Sequence, residues 1–197
     1  MSAVTDSVTE TSRRSRRSAV MLLVGVAVFW AGADQLAKLW MLQNLTPGKK
    51  EPVVGELLQW NLTFNPGAAF SFLADKTWVF TIIAAAVAVL LIALAWRVRS
   101  LLWAGSLGLL LGGTLGNLYD RLFREPGFAV GHVVDFIHTP WMMQAIYNVA
   151  DIGICCSVPV IALLSIFGVR LDGTKTIKNA ENAGVEAEGE AATEGRI

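Results

Sequence analysis

Four stretches of this chain are apolar for the length of a membrane crossing. The first opens at Ala19 and keeps a helical pattern through Leu42. The second is Thr77 to Trp96, the third Leu101 to about Leu118, and the fourth Tyr147 to Val169. At a rise of about 1.5 Å per residue, roughly 20 helical residues cross a ~30 Å hydrocarbon core. In lipid every backbone N–H and C=O must be satisfied within the segment, so runs of this kind form helices. The composition agrees: 54% of the residues are hydrophobic and 16% charged, with a mean hydropathy of +0.52, outside the range of an ordinary soluble domain. The formal net charge is zero, so no global basic field exists to make nucleic acid a partner.

The stretches between and around the spans read differently. Residues 1–18 are polar and end in Arg13-Arg14-Ser15-Arg16-Arg17, a basic tail expected to be disordered. Ala31-Gly32-Ala33 has the form of a signal-peptide cleavage site, but the apolar pattern runs on past it, which favours an uncleaved first span. Residues 44–76 hold Pro47, Gly48, Pro52 and Gly55, which break any helix. They also hold Leu58-Gln59-Trp60-Asn61-Leu62-Thr63-Phe64, whose alternation predicts a strand with one apolar face. Asn65-Pro66-Gly67 is a turn, and the segment from Ala68 to Leu73 is a second short apolar stretch; a small sheet on the membrane surface is expected here. Residues 119–146 form a second non-helical excursion, and residues 171–197 a second disordered tail. The membrane domain is therefore 19–170. Gly112 and Gly116 stand in the small-xxx-small relation that lets helices approach closely, and Pro159 is expected to kink the fourth span. Cys155 and Cys156 are adjacent within that span and read as buried, inert thiols.

Charge sets an expected topology. Arg13, Arg14, Arg16, Arg17, Arg97, Arg99, Arg170, Lys175, Lys178 and Arg196 fall on one side of a four-span chain. The other side has Lys38, Lys49, Lys50, Lys76, Arg121 and Arg124, diluted by acids. Excess positive charge marks the cytoplasmic side, so both termini are expected there and both excursions outside. Trp96 and Trp103 would then mark the inner interface, and Trp40, Trp78 and Trp141 the outer one.

On that topology the unusual polar residues converge on the outer membrane face. The first span ends with Asp34 and Lys38, an i,i+4 pair that reads either as an interfacial ion pair with a snorkelling lysine or as support for a site. The third ends with Asn117, Asp120 and Arg121, where Asp120 is read as a structural bridge to its neighbour Arg121. The fourth begins with Asn148 and Asp151, three apart and hence on one helix face. Asn65 reads as a turn residue or a site residue. Asp135 lies within Val133-Val134-Asp135-Phe136-Ile137, where desolvation should raise its pKa. A carboxylate at membrane depth is costly unless it faces a partner or a wet cavity, so Asp151 marks a functional site. Two carboxylates in a poorly hydrated site do not both ionise easily; one holds a proton while the other stays charged, which suits acid and base roles in peptide hydrolysis. His132 and His138 match no zinc spacing and read as surface residues, and no metal or other cofactor is expected. No Gly-x-Ser-x-Gly, His-Glu-x-x-His or phosphate loop is present.

Five motifs stand in one order along the chain: Asp34-Gln35-Leu36-Ala37-Lys38, the run from Asn65-Pro66-Gly67 to Phe70-Ser71, the run from Gly112-Gly113 through Gly116-Asn117 to Asp120-Arg121, Val133 to Ile137, and Tyr147-Asn148-Val149-Ala150-Asp151. Together they resemble the five boxes of lipoprotein signal peptidase, also called signal peptidase II. The resemblance covers roughly residues 20–170, with Tyr147 where phenylalanine is common.

The resemblance implies an all-α, four-helix inner-membrane aspartyl endopeptidase with a small β-sheet cradle at the outer interface. Its substrate would be a prolipoprotein cut just before a diacylglyceryl-modified cysteine, and globomycin its inhibitor. Asp135 and Asp151 would be the catalytic pair. Asn65, Asn117, Arg121 and Asn148 would line the site and hold substrate, while Asp34, Lys38, Gly116 and Asp120 would support it. A monomer is expected. Residues 128–146 would act as a lid over Asp135. A transporter with an aspartate proton relay would instead carry polar groups through the full membrane depth, and a purely structural subunit would not need the clustered motifs.

Overall fold

In the computed structural model, residues 2–67 and 76–174 are described, with side chains from Arg16 onward. The order is α1 (Ser2–Asn44), β1 (Lys50–Val54), β2 (Leu58–Asn65), α2 (Thr77–Ala95), α3 (Leu101–Phe123), β3 (Val133–His138) and α4 (Val149–Ile166). All four helices contain a segment long and apolar enough to cross a membrane. The protein is a multi-pass membrane protein of mostly helical fold with one small antiparallel sheet.

Helix α1 extends back to Ser2, through the stretch expected to be a disordered tail. No Gly or Pro occurs before Gly25, and extending an existing helix costs far less than nucleating one. At its other end Asn44 Nδ2 donates to Trp40 O at 2.7 Å, and Pro47 and Gly48 turn the chain. Helix α3 runs to Phe123, five residues beyond the apolar run, so the second excursion begins at Arg124 rather than at residue 119. Helix α4 starts at Val149; Tyr147 and Asn148 precede it.

The sheet order is β1-β2-β3, and β3 comes from the second excursion. Val-Val-Asp-Phe-Ile was read above as an apolar setting for a carboxylate; all six residues of β3 are buried, as a continuous apolar run in a strand covered on both faces should be. The stretch expected as a lid thus contains a buried strand paired to β2. A register shift between Trp60 and Thr63 breaks the expected alternation of β2 and leaves Phe64 45% exposed. The Ala68–Leu73 stretch lies outside the described residues.

Two apolar clusters enclose a polar layer. Ala19, Leu23, Ala27, Leu91, Val98, Leu107 and Leu111 pack α1, α2 and α3 at the end away from the sheet. Met41, Leu45, Leu62, Val134, Phe136 and Ile137 join the end of α1 to the sheet. Between them α1 crosses α3 closely: a Cβ on Gly112 would lie 2.7 Å from Ala27 O, and one on Gly116 would lie 2.6 Å from Asp34 Oδ2. Trp103, expected at an interface, is instead buried, and its Nε1 donates to Val169 O at 3.0 Å. The backbone N–H groups of Arg99 and Ser100 both donate to Leu171 O, so residues 171–174, read above as the start of a tail, are held against the α2–α3 turn. Residues 175–197 lie outside the described residues.

Candidate active site

The site is assembled where β3 is tied to the start of α4. Tyr147 pairs with Ile137: Tyr147 N donates to Ile137 O at 2.9 Å, and Ile137 N to Tyr147 O at 2.8 Å. The next residue, Asn148, is therefore brought beside Asp135 before the helix begins. Asn148 is the N-cap of α4, with extended backbone, and Asp151 is its third helical residue. The two form a capping box, in which Asp151 N donates to Asn148 Oδ1 at 3.0 Å and Asn148 N donates to Asp151 Oδ2 at 3.1 Å. Their three-residue spacing therefore reflects a cap and not a shared helix face.

Asn148 also reaches the other carboxylate. Its Nδ2 donates to Asp135 Oδ1 at 2.6 Å and to Asn117 Oδ1 at 3.1 Å. Asn65 Nδ2 donates to Asp135 Oδ2 at 2.8 Å, while Asn65 Oδ1 accepts from Gly67 N at 2.8 Å, which fixes the amide in the turn. Asn117 Nδ2 donates to Asp151 Oδ1 at 2.8 Å. Asp135 and Asp151 are thus joined through Asn148 and braced from either side by Asn65 and Asn117. The structure brings together all five of these expected residues.

Behind the pair lies a buried ionic cluster. Lys38 Nζ uses its three donors on Asp34 Oδ2 at 2.7 Å, Asp120 Oδ2 at 2.8 Å and Asn117 Oδ1 at 3.0 Å. Lys38, Asp34 and Asp120 are fully buried, so Lys38 does not snorkel to an interface. Asp34 Oδ1 accepts from Ala150 N at 2.9 Å, and Asp120 Oδ2 accepts from Val134 N at 3.1 Å. The cluster therefore grips both the α4 start and the strand of Asp135. Asp120 bridges to Lys38 and to Arg124, whose Nε lies 2.6 Å from Asp120 Oδ1, and not to Arg121 as expected. Residues one apart on a helix point in different directions, whereas residues four apart meet. That spacing is the signal that could have found Arg124. Gln35 was also missed as a site residue: its Nε2 lies within 3.1 Å of Asp34, Gly116 O and Asp120, and its Oε1 accepts from Arg124 Nη2 at 3.2 Å.

Arg121 turns the other way. Its guanidinium carbon lies 5.4 Å from the centre of the Phe80 ring, and it is electrostatically coupled to Asp135, Asp120 and Asp151. Its Nη1 is buried and, among the described residues, has no hydrogen-bond partner. An unpaired buried donor beside two carboxylates is suited to receive an acceptor from a bound ligand.

Asp135 is only 2% exposed, and burial pushes its carboxyl up to about 7, with the negative charge of Asp151 adding to the rise. The amide donors of Asn65 and Asn148 act in the opposite direction but do not outweigh desolvation. Asp151 is partly exposed and borders a cavity of about 360 Å³ lined by Met142, Met143, Tyr147, Ile152, Cys155 and Cys156. The two cysteines, expected to be buried, are exposed on this wall. His138, expected on the surface, is 6% exposed and lies in β3 directly opposite Gln59.

A family model described as signal peptidase (SPase) II matches residues 26–167, which contain every residue of the site. The chain belongs to the signal peptidase II family. It is therefore a peptidase. As a signal peptidase II chain it is 44% identical to a lipoprotein signal peptidase of Leifsonia xyli subsp. xyli, over 89% of this chain and 80% of that one. It is 39% identical to the lipoprotein signal peptidase of Rhodococcus jostii, over 81% and 78%. Two solved structures of a bacterial membrane enzyme are similar in fold: one at 28% identity with a TM-score of 0.65, covering 73% of this chain and 92% of its own, the other at 27% with a TM-score of 0.66, covering 79% and 94%.

Proposed function

We propose that this signal peptidase II removes the signal peptide of prolipoproteins by aspartyl catalysis, with Asp135 and Asp151 as the acid–base pair. The observation that carries this reading is the single Asn148 side chain and backbone joining both carboxylates, one of them raised to about 7. Asp135, whose raised pKa favours the acid form, starts the cycle with the proton, and Asp151 acts as the base. A water between them attacks the scissile carbonyl carbon, giving its proton to Asp151, while Asp135 protonates the carbonyl oxygen. The tetrahedral diol then collapses: Asp151 returns its proton to the amide nitrogen, Asp135 takes a proton back from the diol, and the C–N bond breaks. The pair returns to its starting protonation without an outside proton source.

The other residues hold substrate. Arg121 Nη1 donates to a substrate backbone carbonyl, and Asn65, Asn117 and Asn148 keep the carboxylates oriented. The cut falls just before the diacylglyceryl-modified cysteine. The apolar cavity beside Asp151 opens on the face of α4 that lipid would cover, so a membrane-anchored substrate reaches the pair sideways without leaving the bilayer. Both termini are cytoplasmic, the pair lies near the outer face, the enzyme works as a monomer, and globomycin blocks the same site.

Singly replacing Asp135→Asn and Asp151→Asn tests this. Each should lower cleavage of a diacylglyceryl prolipoprotein by at least about 10²–10⁴-fold, the range that a positioned acid or base supplies. Full activity in either variant would sink the assignment.

A further inference from the structure

The other end of the bundle holds a second feature that peptide hydrolysis does not use. A cleft of about 630 Å³ lies there, lined by Arg16, Arg17, Val20, Met21 and Trp96. Arg16 is about 27 Å along α1 from Asp34 at helical rise, so the cleft is remote from the carboxylate pair. We propose that it is a binding site for one anionic glycerophospholipid.

Three observations point to that ligand. The Arg16 guanidinium carbon lies 5.8 Å from the centre of the Trp96 ring, so one cation is already stacked and held before any ligand arrives. Arg17 adds a second cation, and among the described residues no acidic side chain lines the cleft. A phosphodiester matches the paired donors of guanidinium groups. A choline or ethanolamine headgroup would bring its own cation against two arginines, with no carboxylate among the described lining residues to receive it. Below the arginines the lining turns apolar at Val20 and Met21. Val24 and Val28, 50% and 67% exposed, continue from Val20 at four-residue steps along α1, a track for one acyl chain. Trp96 itself is 62% exposed at the end of α2, where an indole ring sits at headgroup level.

The test uses the full chain in detergent, titrated with phosphatidylglycerol, with retained lipid read by native mass spectrometry. Phosphatidylcholine of the same chains and soluble glycerol 3-phosphate are the comparison arms. One phosphatidylglycerol should be retained, and neither comparison ligand. The double variant Arg16→Gln/Arg17→Gln should weaken retention about 25-fold, from a factor of about five per arginine at a membrane surface. Trp96→Leu, which leaves charge unchanged, should weaken it by a smaller factor. Arg97→Gln/Arg99→Gln, an equal loss of charge at the same end but outside the cleft lining, should change it less than about twofold. Unchanged signal-peptide cleavage in each variant reports that the fold is intact. Equal retention of phosphatidylcholine, binding of glycerol 3-phosphate without acyl chains, or equal losses in the two arginine double variants would each overturn the proposal.

Discussion

Asn148 and Asp151 hold one another by reciprocal hydrogen bonds, backbone N–H to side-chain oxygen in both directions, at 3.0 and 3.1 Å. Because Asn148 Oδ1 is committed to Asp151 N, its Nδ2 must face Asp135 and Asn117. One helix cap thereby orients both members of the proposed acid–base pair. Helix initiation and the geometry of the site are the same set of hydrogen bonds.

This dual use can be separated by mutation. Asn148→Ser keeps an N-cap acceptor and loses the Nδ2 donor, whereas Asn148→Ala loses both. Cleavage should fall at least about 100-fold in both variants. The melting temperature of the alanine variant should lie below that of the serine variant by about 2–4 °C, corresponding to about 1 kcal/mol for a lost cap. Equal melting temperatures would show that the cap contributes nothing to stability.

The pH dependence follows from Asp135. Its folded pKa of about 7 lies above the ordinary carboxylate value of 3.8. Between those values the folded state binds more proton than the unfolded state, so stability falls as pH rises through this window. The kcat/KM profile should fall on its alkaline side with an apparent pKa near 7, reported by the pair as a unit. Asp135→Asn, although expected to be inactive, should melt higher than the native protein at pH 8, by about 2–8 °C for roughly 1–2 kcal/mol of relieved charge burial. A lower melting temperature at pH 8 would count against the raised carboxyl.

Lys38 carries the opposite prediction. Lys38→Met removes the cation shared by two fully buried carboxylates, Asp34 and Asp120. Breaking a buried ionic cluster in this way should cost roughly 3–5 kcal/mol, measured by denaturation in detergent. Adding Asp34→Asn should recover part of the loss. If the double variant is less stable than Lys38→Met alone, the lysine is not neutralising that carboxylate.

The glycine spacing of α3 gives a packing test. Gly116→Ala would set a Cβ 2.6 Å from Asp34 Oδ2, and overpacking of this kind costs about 1–3 kcal/mol. Gly105→Ala on the same helix meets nothing within 4 Å and should be neutral or slightly stabilising. Unfolding midpoints of the two variants decide the matter; equal midpoints would mean the α1–α3 crossing yields easily.

Much of the site was legible because membrane cost is local. Asp151 inside an apolar run, Asp135 between valines and Phe136, and the Asp34–Lys38 pair stand out without a fold, since each charge there needs a partner. The partners were less legible. Asp120 has Arg121 beside it in sequence, yet binds Lys38 from α1 and Arg124 one turn on. Gln35, next to Asp34, gave no signal of its own, because an amide within a span is cheaper than a charge and draws less notice. Cys155 and Cys156 were read as buried because their surroundings are apolar; in a membrane helix the apolar residues face outward and the polar ones inward, so apolar sequence does not mean burial.

By itself, then, the sequence determined four spans and a set of carboxylates and asparagines clustered near their ends. These follow from hydropathy and charge, which are properties of each segment alone. Only the tertiary structure decided that β3 is zipped to Tyr147, that Asn148 caps α4 while donating to Asp135, and that Lys38 draws Asp34, Asp120 and Asn117 together. Those contacts join groups on different elements, and each depends on how far a helix is rotated about its axis. One residue is about 100° of that rotation, so hydropathy alone does not select the partner that a buried side chain meets.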